Sequence, residues 1–254
     1  MSVALAMFAA ATALRPICAD RPAKANGTCT VPEVKFQVES GIVGWSLAKS
    51  RGTRSELTYL GSTVLKLGLS DHSDLEVGFT PYAKLKVSNA ASRTRVSGFG
   101  DMVIRYKHRF TSDDARAQVA VIPLIKLPTA AHDLGNGKVE GGVALPVTIA
   151  ASPAVSVTFG PELDLLSDGD GQGRHVAVVN LVNVSAPVAP RLSLAGELWT
   201  NFNFDPSGTV KQASADAALA FAVSNSVQID SGVNLGLTRD TPDIELYGGV
   251  AVRF

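Results

Sequence analysis

Two cysteines, four histidines and 46 charged side chains carry what chemistry this 254-residue chain can do. Cys18 and Cys29 lack a histidine close in sequence, which argues against a thiol catalyst; if both are retained in an oxidising compartment they can close a small loop. Asp71-His72-Ser73 lines up acid, imidazole and hydroxyl, but adjacent residues in a tight turn point apart, whereas nucleophilic catalysis needs them convergent. His108 is expected to face outward near one rim, and His132 and His175 belong to loops or their edges. Asp168-Gly169-Asp170-Gly171-Gln172-Gly173 has the acid spacing that opens a calcium loop, yet Val179 stands where the bidentate Glu is required. No catalytic, cofactor-binding or metal-ligating set is therefore expected. What remains is fixed charge, spaced by two.

That spacing belongs to strands. Ile244, Leu246, Gly248, Val250, Val252 and Phe254 alternate with Glu245, Tyr247, Gly249, Ala251 and Arg253, giving one apolar and one polar face. The same alternation recurs twelve times between Val34 and Phe254 and blurs at Gly41 to Leu47, where a bulge is expected, and at Val176 to Val188, which is apolar on both faces. Net charge is zero, so nothing points to nucleic acid, and no segment reaches the ~20 apolar residues of a spanning helix. The run Ala4 to Leu14 reads as the core of a signal peptide, although Met1-Ser2-Val3 adds no positive charge before it. Residues 1–19 are thus assigned to that peptide, with cleavage after Ala13 or Ala19, residues 20–33 to a periplasmic leader and 34–254 to the strands.

The connections select the architecture. Short ones (Ser70 to Ser73, Thr111 to Ala115, Ser152 to Ala154, Ala189 to Pro190, Ser224 to Ser226) take turns with longer polar ones (Lys49 to Ser55, Asn89 to Ser97, Pro128 to Gly141, Ser167 to Arg174, Asp205 to Lys211, Arg239 to Asp243). This predicts an all-β, 12-stranded antiparallel up-and-down transmembrane barrel with short periplasmic turns and longer extracellular loops. A Greek-key sandwich has no reason to sort connections by parity. Apolar faces then meet outer-membrane lipid, and polar faces line a lumen. The expected lining is Lys66, Asp74, Glu76, Tyr82, Lys84, Lys86, Asp101, Arg105, Lys107, Arg109, Glu162, Asp164, Arg191, Glu197, Trp199 and Asp230. Asp74 and Glu76 are expected to face Lys107 and Arg109, and Lys84 and Lys86 to face Asp101.

Leu67-Gly68-Leu69-Ser70-Asp71-His72-Ser73-Asp74-Leu75-Glu76-Val77-Gly78, then Gly98-Phe99-Gly100-Asp101 with Arg105-Tyr106-Lys107-His108-Arg109-Phe110, then Leu127-Pro128-Thr129 resemble the outer-membrane transporter family named for the MetA pathway of phenol degradation. Ala130 departs from the Gly that family has next. The last strand, with Phe254, Val252 and Val250, resembles the closing strand that the barrel-insertion machinery reads. The resemblance implies a bacterial outer-membrane location and transport of small, often aromatic solutes, with no catalytic residues to carry across. Passive uptake through a charge-lined lumen is the expected function. A filled structural barrel without a pore and a barrel-embedded lipid hydrolase are the alternatives.

Overall fold

The computed structural model describes residues 15–254, so the apolar run Ala4 to Leu14 lies outside the described residues. Twelve strands form: β1 (Phe36–Ser50), β2 (Thr53–Ser70), β3 (Ser73–Phe79 and Tyr82–Ser88), β4 (Arg93–Gly98 and Met102–Arg109), β5 (Ala117–Leu127), β6 (Glu140–Ala144 and Val147–Ala150), β7 (Ser156–Phe159 and Glu162–Ser167), β8 (Arg174–Ala189), β9 (Leu192–Asn203), β10 (Val210–Ser224), β11 (Val227–Gly236) and β12 (Ile244–Arg253). Each pairs antiparallel with its sequence neighbour, and β1 pairs with β12 from Gln37↔Arg253 to Leu47↔Ile244, which closes the sheet. Prolines 81, 146 and 161 interrupt β3, β6 and β7, because a residue without an N–H cannot donate to the ladder.

The oily side chains point outward. Leu198, Leu163 and Leu219 are 61%, 51% and 42% exposed, while Arg109, Lys66, Lys107, Glu76 and Asp74 have at most 2% of their surface exposed. That inversion of a water-soluble core is stable only where acyl chains replace water outside. Phe36 and Phe254 lie 6.4 Å apart at the periplasmic rim, where Tyr106 also stacks on His108 and Phe110 meets the His108 ring edge-on. In β8 the ambiguous phase resolves: His175, Ala177, Leu181 and Asn183 are buried inside, and Val176, Val182 and Val184 face out.

Two expectations about connections fail. Lys49 to Ser55 is no long loop: β1 and β2 run on to a two-residue turn in which Arg51 (φ 49°) and Gly52 (φ 78°) take left-handed conformations, as a tight hairpin requires. The β4–β5 connection, residues 110–116, is as long as several outer loops. The outer loop between β5 and β6 folds inward, with Ala131 N–H donating to Phe99 O at 2.8 Å and Ala130 N–H to Asp101 at 3.0 Å.

A fault in the alternation crosses four neighbouring strands. In β1 the expected bulge falls between Gly41 and Val43, so Ile42 and Val43 both face out, at 60% and 47% exposure. Paired residues must share a face, so the shift propagates: β2 makes it at Gly61 (φ 67°), β3 at Pro81 and β4 at Gly98–Asp101. Beyond this line Tyr59 points inward to donate to Glu245 at 2.8 Å, and Ala83 is buried. Tyr82, Lys84 and Lys86 consequently project outside the barrel, contrary to the expected lining.

Candidate functional site: the lumen and its occupant

The segment expected as a periplasmic leader, residues 20–33, runs inside the barrel as far as Pro32. The segment enters beside the periplasmic turns, where Arg15 pairs with Asp71 and Asp113 and Arg253 donates to the carbonyls of Arg15 and Pro16. It rises to Lys24 and Ala25, whose backbone N–H groups donate to Glu197 at 3.2 and 3.0 Å. It then returns: Thr28 donates to Gln118 at 2.9 Å, Thr30 to Asp71 O at 2.7 Å, and Val31 N–H to Asp74 at 2.9 Å. A Cys18–Cys29 disulfide ties the two limbs, with Cα atoms 6.2 Å apart. The return limb crosses β2 at Gly68, where a Cβ would strike the carbonyls of Val31 and Pro32.

Three charges inside the disulfide loop seat this hairpin. Asp20 pairs with Lys66 and lies 3.0 Å from Lys107, and those two lysines also reach Glu39 (2.7 Å from Lys66) and Glu76 (3.6 and 3.3 Å). Arg105 approaches Glu76 at 3.9 Å. Burial by itself raises the Asp20 carboxyl, but the ammonium groups of Lys107 and Lys66 outweigh it and hold the acid far below the ordinary carboxylate range. Arg21 pairs with Asp230 at 2.7 Å, its guanidinium occupying the space a side chain at Gly249 would fill. Lys24 pairs with Asp216 at 2.7 Å and sits 4.8 Å from the Trp199 ring centroid, within cation–π range. Buried cations without these carboxylates would be costly, so wall and hairpin are electrostatic complements.

Of the expected lining residues, the structure brings Lys66, Asp74, Glu76, Arg105, Lys107, Glu197, Trp199 and Asp230 together around the hairpin. Arg109 is held at the periplasmic turns, donating to Thr111 O and Asp71 O and pairing with Asp113 at 2.6 Å. Glu162 lines a lumen cavity, and Asp164 packs against Gly142. Asp101 does not meet Lys84 or Lys86; it pairs with Lys126 at 2.9 Å, which also holds Glu140 at 3.0 Å. Arg191 sits in the β8–β9 turn, away from the lining, and donates to Val223 O. Across β3 and β4 the register sets Asp74 opposite Lys107 and Glu76 opposite Arg105, one step from the expected pairing with Arg109.

Sequence reasoning missed Asp20, Arg21 and Lys24 altogether, and left out Gln37, Glu39 and Lys126 although their alternation marks them as inward. Two cavities of about 380 and 400 Å³ flank the hairpin, the second lined by Glu39, Lys66, Arg105, Glu162 and Trp199 among others. His175 Nδ1 donates at 2.8 Å to the carboxylate of Asp168, the first acid of the calcium-like loop. Among the described residues no cluster of His, Cys, Asp and Glu is arranged to hold a metal.

Residues 19–254 match the protein family described as "Putative MetA-pathway of phenol degradation". The chain belongs to this family. Among solved structures it is similar to an outer membrane channel from Pseudomonas putida F1, with a TM-score of 0.72 and 15% identity over 92% of this chain and 100% of that one. It is also similar to the translocator domain of the autotransporter NalP from Neisseria meningitidis (TM-score 0.56, 11% identity, 91% and 90% covered). A third is the NanC porin (0.53, 8% identity, 85% and 98% covered). Identities this low carry the shared fold and nothing finer. A search of curated proteins gave no match. The closed 12-stranded wall with its outward apolar belt is an outer-membrane β-barrel, and the protein resides in that membrane.

Proposed function

We propose that this protein is an outer-membrane channel for passive uptake of small, often aromatic, solutes, with residues 15–33 as a displaceable plug. The observation that carries the reading is the kind of occupant: a segment preceding β1, seated by Asp20, Arg21 and Lys24 against a wall of opposite charge, rather than wall side chains meeting across the bore. Solute flux follows when the hairpin shifts, and selectivity comes from the charged wall left behind. The aromatic preference rests on the family's description. Cleavage after Ala13 belongs to the same proposal, since it keeps Cys18 for Cys29. So does the reading of outward-facing Phe254, Val252 and Val250 by the insertion machinery.

The second reading, a filled barrel without a pore, draws on the near-complete burial of Lys66, Lys107 and Glu76. Osmotic swelling of proteoliposomes separates the two. With benzoate as solute, an Asp20→Ala/Arg21→Ala/Lys24→Ala variant is expected to swell at least tenfold faster than the unaltered chain and to exclude a trisaccharide. No flux through either protein would establish the filled barrel.

A further inference from the structure

The alternation fault has a second result, on the outside of the barrel. Above it the outward positions of β2, β3 and β4 form cross-strand rows. Leu60 pairs with Tyr82; the next row is Thr58, Lys84 and Ser97, then Glu56, Lys86 and Arg95, then Arg54, Ser88 and Arg93. Five cations, Arg54, Lys84, Lys86, Arg93 and Arg95, therefore share one exterior face with a single carboxylate, Glu56. That carboxylate serves Arg54 and, at 3.8 Å, Lys86. Among the described residues no carboxylate pairs with Lys84, Arg93 or Arg95. Lys86 stands directly opposite Arg95, an arrangement of like charges that costs stability unless an anion lies between them. Arg54, Glu56, Lys86, Ser88, Arg93 and Arg95 line a groove of about 390 Å³ on this face.

Depth says which anion. Leu60 and Tyr82, 43% and 37% exposed, end the apolar belt here. Each row lies two residues further along strands that rise ~3.4 Å per residue and tilt ~40°, so successive rows stand roughly 5 Å higher. The Lys84 and Lys86/Arg95 rows fall about 5 and 10 Å above the belt, the zone that headgroups occupy just outside the hydrocarbon. These strand ends are the extracellular ones, so the leaflet is the outer one.

We infer that this face docks a phosphorylated glycolipid of the outer leaflet, its phosphate bridging Lys86 and Arg95 with Lys84, Arg93 and Arg54 around it, and its acyl chains lying along Leu60 and Tyr82. Arginine's planar fork suits phosphate oxygens, and the strand rows fix the spacing.

Native mass spectrometry of the full chain in detergent tests this, with diphosphoryl lipid A, fully dephosphorylated lipid A and phosphatidylglycerol offered in turn. The unaltered protein is expected to retain one diphosphoryl lipid A, and Lys86→Gln/Arg95→Gln to lower that retention at least tenfold. Lys211→Gln/Arg239→Gln, at the start of β10 and in the β11–β12 loop and so outside the β2–β4 rows, is expected to leave it unchanged. Heat-modifiable migration on gels confirms that each variant is folded; Lys84→Gln replaces the double variant should that one fail. Equal retention by the patch variant overturns the inference, as does equal retention of the dephosphorylated lipid or of phosphatidylglycerol. Displacement of lipid A by millimolar inorganic phosphate would instead mark a small-anion site and overturn the lipid assignment.

Discussion

Replacing Asp20 by Asn keeps the size of the side chain and removes the charge that joins the hairpin to the wall. Asp20 reaches both Lys66 and Lys107 and accepts Gly27 N–H at 2.7 Å, so it fastens the hairpin to the wall and to itself. Lys66 and Lys107 are 2% and 1% exposed, so water cannot screen the loss. Removing one partner of a buried ion pair costs about 3–5 kcal/mol. Both lysines keep Glu39 or Glu76, which puts the cost near the lower end. At about 1.4 kcal/mol per decade, ~3 kcal/mol shifts the balance between seated and unseated hairpin about a hundredfold toward release. Single-channel recording in planar bilayers reads that balance as the fraction of time spent open. Asp20→Asn is expected to raise it about two orders of magnitude, and Asp20→Glu to change it far less. An open fraction unchanged by Asp20→Asn would show that the ion pairs do not seat the hairpin and that the electrostatic reasoning is wrong.

The same seating sets a pH window. A carboxylate held below its ordinary value of 3.8 contributes fully above that value and loses its contribution only as pH falls through its depressed one, so the difference in conductance between Asp20→Asn and the unaltered chain is expected to stay constant from pH 8 to about 4 and to shrink only in stronger acid. Cys18→Ser/Cys29→Ser frees a loop with a sequence separation of 11, and the lost restraint, up to ~3 kcal/mol, is expected to raise protease cleavage of residues 15–33 in detergent. Leu198→Arg, at an outward position in mid-strand, is expected to lower barrel stability by about 2–4 kcal/mol in lipid, measured by denaturant unfolding. Gly44→Val would displace the Tyr59 ring that lies over Gly44 and break its hydrogen bond to Glu245. Fluorescence or proteolysis should then report a loosened outer half of β1–β2 with the lower half intact.

Where the two-residue period runs unbroken, the amino-acid sequence by itself determined which side chains meet lipid. In β12 a strict alternation sets Arg253 and Ala251 inside, because successive side chains on a pleated strand must take opposite faces. Twelve such stretches and polar connections were enough for a closed outer-membrane barrel. The outer halves of β2 to β4 were decided by tertiary structure. One inserted residue in β1 reverses the face of everything beyond it, and hydrogen-bonded neighbours are obliged to follow, which turned Lys84 and Lys86 from the lumen to the membrane surface. The occupant was illegible for another reason: residues 15–33 have no period to read. Asp20 meets Lys66 across 46 positions and Arg21 meets Asp230 across 209, so nothing local distinguishes a polar leader in water from a charged hairpin in a bore. Only closure of the barrel brings those partners within range and makes leaving their charges unpaired too costly.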